Sequence, residues 1–214
     1  MSVHHGTPIA GKARSTTNRQ SEPVMTKAPD KAVEVSAHPT VTSVAARRIL
    51  AVLRFATGFI FLWAFLDKTF GLGFSTTSER AWFNGGSPTK GFLGSVDVGP
   101  FAGVAHTIAG TWWADWLFML ALLGVGVAVM AGIAMWPAAF AGSLLVLMMW
   151  AAEFPLDRVT GTGDPSGSTN PIVDYHIIYG LALLTLAATS AGITWGLSRY
   201  WNRLPYIRDH AWTH

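Results

Sequence analysis

The chain has 214 residues; half are apolar, 13% are charged, ten are tryptophan and none is cysteine, and the formal net charge is +3. A soluble domain carries about a quarter charged residues, so this composition points to a membrane protein. Without cysteine the chain can form no disulfide, thiol relay, thiolate-held iron–sulfur cluster or Cys-type zinc site of its own.

Residues 1–43 are rich in Ser, Thr, Pro, Lys and Ala and show no hydrophobic period. Such a segment buries too little apolar surface to offset its ordering entropy, which predicts a disordered tail. It lacks the apolar core and small-residue cleavage site of a secretory signal. His4 and His5 read as polar tail residues.

The membrane segment follows. A first span is expected from about Val44 to Leu66, with Arg47 and Arg48 at its start and Asp67-Lys68 at its exit. From Trp116 to Ala152 no residue is charged, and the break falls at Trp136-Pro137. A bilayer core about 30 Å thick takes roughly 20 apolar residues, so this stretch reads as a helical hairpin. Its second span runs to Met135. Its third begins at Pro137, where a missing N–H costs nothing, and closes near Glu153. The fourth is expected from about Pro171 to Trp195, with Asn170 as N-cap and Pro171 as first helical residue. The fold class is therefore all-α: a polytopic membrane protein with a four-transmembrane-helix bundle over 44–201, a disordered N-terminal tail, and a short C-terminal tail over 202–214.

Charge sets the orientation. Lys12, Arg14, Arg19, Lys27, Lys31, Arg47 and Arg48 precede the first span, and Arg199, Arg203 and Arg208 follow the fourth. The segments between hold Lys68, Arg80, Lys90 and Arg158, offset by acids. The positive-inside rule then puts a multi-pass protein in the cell membrane with both termini cytoplasmic. The basic surplus suits anionic lipid headgroups. No basic-aromatic surface module suggests nucleic acid. Gly124, Ala128 and Gly132 recur every four residues, a spacing that lets helices approach closely, and Gly180 and Gly192 offer the same in the fourth span. Trp112, Trp113 and Trp116 suit one interfacial belt and Trp195 and Trp201 the other.

The loop 69–114 carries Trp82-Phe83-Asn84-Gly85-Gly86-Ser87-Pro88-Thr89-Lys90-Gly91-Phe92-Leu93. Its turn formers are flanked by aromatic residues that want an apolar surface. It is expected either to dip into the outer leaflet or to cap the bundle mouth, leaving Asn84 and Lys90 to meet a ligand or only to seal the bundle.

Several ionisable groups lie near the membrane. Arg54 sits inside the first span, on the face of Arg47; it must snorkel, pair or line a cavity, or it contacts a quinone carbonyl, a lipid phosphate or an acidic partner. Asp67, Lys68, Glu153, Asp174 and His176 fall at one level, and Asp67-Lys68 can pair across to Glu153 or Asp174. Histidine is the side-chain type that changes charge most readily around neutral pH, so His176 suits proton exchange with a quinol. Residues two apart on a helix face different ways, so Asp174 is not expected to touch His176, whose acid would be Glu153 or Asp67. His106 and His176 make a poor haem pair, and no haem or metal ion is expected.

Arg54, then Phe61-Leu62-Trp63-Ala64-Phe65-Leu66-Asp67-Lys68, the Trp82–Leu93 stretch with its Gly-Gly-Ser-Pro-Thr-Lys run, and Asn170-Pro171-Ile172-Val173-Asp174-Tyr175-His176 together resemble the DoxX/DoxD-like membrane proteins. The likeness is nearest to the DoxD-type subunit of thiosulfate:quinone oxidoreductase and spans about residues 44–201. It implies a membrane subunit of a quinone-linked oxidoreductase that joins thiosulfates to tetrathionate and passes electrons to quinone, working with a second subunit or a respiratory complex. It supplies no catalytic set, so the expected sites come from the residues themselves. Catalytic groups are His176, Glu153 and Asp174. An anionic substrate meets Lys68, Arg80, Asn84 and Lys90, and the quinone meets Arg54 and Trp82. The alternative is a noncatalytic scaffold that docks a redox enzyme through its basic tails. A transporter lacks midplane charges and broken repeats, and a thiol-dependent quinone reductase lacks its cysteines.

Overall fold

The computed structural model describes residues 41–96, 99–154, 156, 158–160 and 163–208. Most of the expected N-terminal tail, residues 1–40, lies outside the described residues, as do 209–214 of the C-terminal tail. The fold is all-helical. Its helices are α1 (Val44–Phe70), α2 (Pro88–Leu93), α3 (Ala102–Ile108), α4 (Trp112–Ala131), α5 (Met135–Glu153), α6 (Tyr175–Ala188), α7 (Ser198–Trp201) and α8 (Pro205–Arg208). Three of them, α1, α4 and α5, are long and apolar enough to cross a membrane.

Local chemistry explains their ends. Ser43 caps α1 by accepting from the Ala46 N–H, and Gly71 closes it with φ 66°. Gly132 closes α4 in the left-handed region. Pro137 falls in the first turn of α5, as its missing N–H favours. The helix α1 continues four residues beyond the expected Leu66, and α4 begins four residues before the expected Trp116.

The fourth apolar segment departs from expectation. Helix α6 has 14 residues, about 21 Å at 1.5 Å per residue, against the roughly 20 residues a bilayer core takes. It begins at Tyr175, with Asp174 and not Asn170 as its N-cap. Asn170 instead closes a local turn, its side-chain oxygen accepting from the Ile172 and Val173 N–H groups. At the other end the run Thr189-Ser190-Ala191-Gly192 consists largely of poor helix formers. Ser190 takes φ 51°, and a single 3-10 turn follows over Ala191–Ile193.

Helix α1 packs on α4, α4 on α5, α5 on α6, and α6 returns to α1. Phe61, Met119, Leu122, Val129, Leu183 and Leu186 are at the centre. Outside, Phe59, Leu117, Phe140, Leu147 and Ile178 are exposed, an apolar exterior compatible with lipid contact. The close helix contacts use other glycines than the expected stripe. A Cβ at Gly126 would stand 2.7 Å from the Leu62 backbone, and one at Gly58 2.8 Å from the Met130 nitrogen, whereas Gly124 faces open space. Gly132 serves as the left-handed cap of α4, pressed against Gly192.

Arg54 organises the end of the bundle near the start of α1. Its side chain is fully buried. One guanidinium nitrogen donates to the carbonyls of Val129, at 2.8 Å, and Met130; the other donates to Thr194 and Trp195, at 3.4 and 3.1 Å. The first pair lies in the last turn of α4, where Val129 also accepts the Gly132 N–H, and the second belongs to the turn that follows α6. Leu197 N–H and Ser198 Oγ add bonds to the Ala131 and Gly132 carbonyls. Arg54→Met should therefore remove the guanidinium donor from the Met130, Thr194 and Trp195 carbonyls and leave Val129 with the Gly132 N–H alone. A hydrogen bond to a charged group is worth about 1.5–3 kcal/mol, so a loss of about 3 kcal/mol or more is expected. The midpoint temperature for loss of the monodisperse peak in detergent measures it, and Arg54→Lys, which keeps the charge without the fork, should fall between.

Candidate functional site

At the opposite end of the bundle, where α1 and α5 finish and α4 and α6 begin, three aspartates hold the connecting segments. Buried Asp67 accepts from the N–H groups of Phe74 and Ser75 at 3.2 and 3.0 Å and from the Ser75 hydroxyl at 2.7 Å. Lys68 reaches the same Ser75 hydroxyl at 3.3 Å. The expected pairing of Asp67-Lys68 with Glu153 or Asp174 is not formed among the described residues; both side chains fold onto their own loop.

Asp115, in the first turn of α4, is the second. Its Oδ1 accepts from the Ser87 hydroxyl, the Thr89 N–H and the Thr89 hydroxyl at 2.9, 2.9 and 2.6 Å. Ser87 is also the N-cap of α2, and Pro88 its first residue. Gly85 turns with φ 85°, and a Cβ on Gly86 would collide with the Arg80 carbonyl. The Gly-Gly-Ser-Pro-Thr run is thus a docked turn. Asp115 received no role from the sequence, although an acid in a helix first turn opposite a Ser/Thr-rich loop is a readable signal.

Asp174 is the third. It is extended, with φ −120° and ψ −171°, and its Oδ1 accepts from the His176 and Ile177 N–H groups at 3.0 and 3.3 Å. Its Oδ2 lies 2.6 Å from His176 Nδ1. The expectation that the two side chains do not touch is corrected here. The rule for residues two apart holds inside a helix, and Asp174 is outside it, as the cap. His176 is 2% exposed, and its Nε2 is buried with no hydrogen-bond partner among the described residues. Antiparallel packing of α5 and α6 brings Glu153 alongside, its Oε2 3.8 Å from His176 Nδ1. One donor atom from each of Glu153, Asp174 and His176 lies within 4.8 Å of the others.

Glu153, Asp174 and Tyr175 open on a cavity of about 480 Å3. The loop residues Ser166, Ser168 and Asn170 supply a polar wall, and Phe92 and Val96 face them from α2 and the segment that follows it. No lysine or arginine is among the described residues that line it. The three expected catalytic residues therefore stand together, Glu153 and Asp174 on the cavity wall and His176 buried beside them.

The other expected residues lie off this cavity. Arg80 and Lys90 are exposed and Lys68 is half-buried, and none of the three lines the cavity. Asn84 donates to the Ser78 carbonyl at 2.8 Å within its own turn. Trp82 is half-buried, edge-on to Trp116 at 4.7 Å. Arg54 is engaged by carbonyls at the far end of the bundle. His106 is exposed on α3.

Asp115→Ala should free the Ser87–Lys90 turn while sparing the long helices. Limited proteolysis is expected to cut between Ser78 and Thr111 at least several-fold faster, with the buried-acceptor loss costing about 1–3 kcal/mol. Unchanged cleavage would mean that the turn is held by its aromatic contacts alone. No protein-family model, curated protein or solved structure matches the chain.

Proposed function

We propose that the chain is a membrane subunit of a quinone-linked oxidoreductase, with α1, α4, α5 and the segment containing α6 crossing the cell membrane and both termini cytoplasmic. Glu153, Asp174 and His176 then stand at the extracytoplasmic rim. The resemblance to DoxX/DoxD-like proteins suggests thiosulfate as electron donor: two thiosulfates give up one electron each to form tetrathionate. A bound quinone supplies the acceptor, taking up those two electrons and two protons.

The observation that supports this reading is the buried His176 ring. Asp174 holds its Nδ1, which fixes the ring's orientation. Its Nε2 has no partner among the described residues, and a ring oxygen of a quinone or quinol is a fitting one. Tyr175 lies 4.1 Å from the imidazole by ring centroids and 5.8 Å from Tyr179, an aromatic neighbourhood suited to a flat ring. Within the proposal, His176 exchanges a proton with the ring oxygen, and Glu153, open to the cavity, passes it to or from water.

A second reading is a noncatalytic scaffold that docks a redox partner at the bilayer. The absence of Lys68, Arg80, Asn84 and Lys90 from the described cavity lining favours it, since no basic group stands there to hold an anion. Membranes with and without the protein decide between the two. Thiosulfate-dependent reduction of a quinone analogue should appear only with it, and His176→Ala should lower turnover about 100-fold, within the range of a lost proton-transfer group, while assembly is kept. Equal turnover with and without the protein removes the activity. Gentle purification that yields a redox partner and a chain free of quinone supports the scaffold.

A further inference from the structure

We infer that Glu153, Asp174 and His176 form a binding site for a divalent first-row cation, reached from the cavity beside them. The inference goes beyond the quinone reading and does not depend on it.

The donor set is mixed: one imidazole nitrogen and two carboxylates, from the end of α5, the cap of α6 and its first turn. Imidazole with carboxylate suits Zn2+, Mn2+ or Fe2+ more than Ca2+ or Mg2+, which prefer oxygen alone. An ion with bonds of about 2.0–2.2 Å holds its ligand atoms roughly 3.0–3.5 Å apart. The distances from His176 Nδ1 are 2.6 Å to Asp174 and 3.8 Å to Glu153, one below that range and one above it. Shifts below about 1 Å bring both within it.

Charge points the same way. Two carboxylates face one imidazole, and among the described residues neither carboxylate has a lysine or arginine within 4.0 Å. The cavity that opens on them has hydroxyl and carboxamide residues and no basic one among its described lining. Glu153 is 36% exposed and Asp174 14%, so an ion can arrive from the cavity side, and its remaining positions face that space. His176 is held at 2% exposure, a ligand fixed before any ion binds. Three protein ligands with an open position is the pattern of an accessible site, not of a closed structural one. With Nδ1 on the ion, the ring proton sits on Nε2, where it becomes a donor.

The test uses the full chain, purified in detergent, stripped with a chelator and titrated with Zn2+ by calorimetry and with Co2+ by its visible absorption. The tail histidines His4 and His5 are controlled by His4→Ala/His5→Ala. One equivalent should survive in that variant. In Glu153→Gln/Asp174→Asn its affinity should fall by at least the roughly 10–100-fold that losing an outer-shell partner costs. Asn still caps α6, so that variant keeps the helix start. His176→Gln should abolish the imidazole contribution to the Co2+ spectrum. An unchanged isotherm in Glu153→Gln/Asp174→Asn, or loss of all binding with His4 and His5, overturns the inference. Because quinone reduction is not read, failure of this site and failure of the proposed activity are seen separately.

Discussion

A guanidinium sealed inside an apolar bundle has to find acceptors there, and Arg54 finds them in backbone alone. The carbonyls it takes are those that two broken helical segments leave over: the last turn of α4 and the turn after α6. Each side solves the other's problem. The carbonyls partner a cation that would otherwise be very costly to bury, and the cation donates to carbonyls at a helix end and in a turn. This pairing lies in the fourth segment beyond the 14 residues of α6, whose own last carbonyls are closed by the Thr189 and Ser190 N–H groups. It also anchors the far end of that segment against α4, and so fixes the height at which α6 begins. Tyr175 and His176 stand level with Glu153 because the other end of their segment is tied down.

The same rule operates with opposite sign at the other end. Asp67, Asp115 and Asp174 each accept backbone N–H groups, and each fixes a connecting segment to a long helix. They differ in what is left over. Both oxygens of Asp67 are committed to residues 74 and 75, and Asp115 closes the 87–89 turn. Asp174 uses one oxygen for the cap and turns the other to a histidine. Of the three capping carboxylates it is the one that couples a structural role to a titratable partner, which is why the chemistry gathers there and not at the other two.

Long apolar runs were readable because lipid imposes a length on them, and α1, α4 and α5 lie within a few residues of where hydropathy puts them; the corner itself falls at Gly132–Ala134, not at Trp136-Pro137, because Gly132 takes the left-handed cap and proline is tolerated within the first turn of α5. The level shared by Glu153, Asp174 and His176 was readable for the same reason. Two features were not. Asn170-Pro171 has the composition of a helix start, yet Asn170 spends its side chain on a local turn, and of two competent caps four residues apart it is Asp174 that takes the first N–H groups of α6. The Asp174–His176 contact then follows from that choice, since spacing rules reverse when one partner lies outside the helix. Arg54 was legible as an anomaly but not as a clamp, because its acceptors are backbone atoms 75 to 141 residues away and carry no side-chain signature.

The electrostatics of the loop end constrain what can bind where. Opposite charges are kept apart: the cavity wall offers Glu153 and Asp174, while Lys90 and Arg80 stand exposed off it. An anion such as thiosulfate would be repelled by the carboxylates that a cation or a proton carrier needs. A single pocket that takes both the reduced anion and its electron acceptor is therefore a poor fit to this chain. A division of labour fits better, with anion chemistry on a partner surface or beside the exposed basic residues and the cavity reserved for protons or a cation. Within the proposed function, that division leaves Glu153, Asp174 and His176 where apolar walls strengthen their fields and water still has access through the cavity.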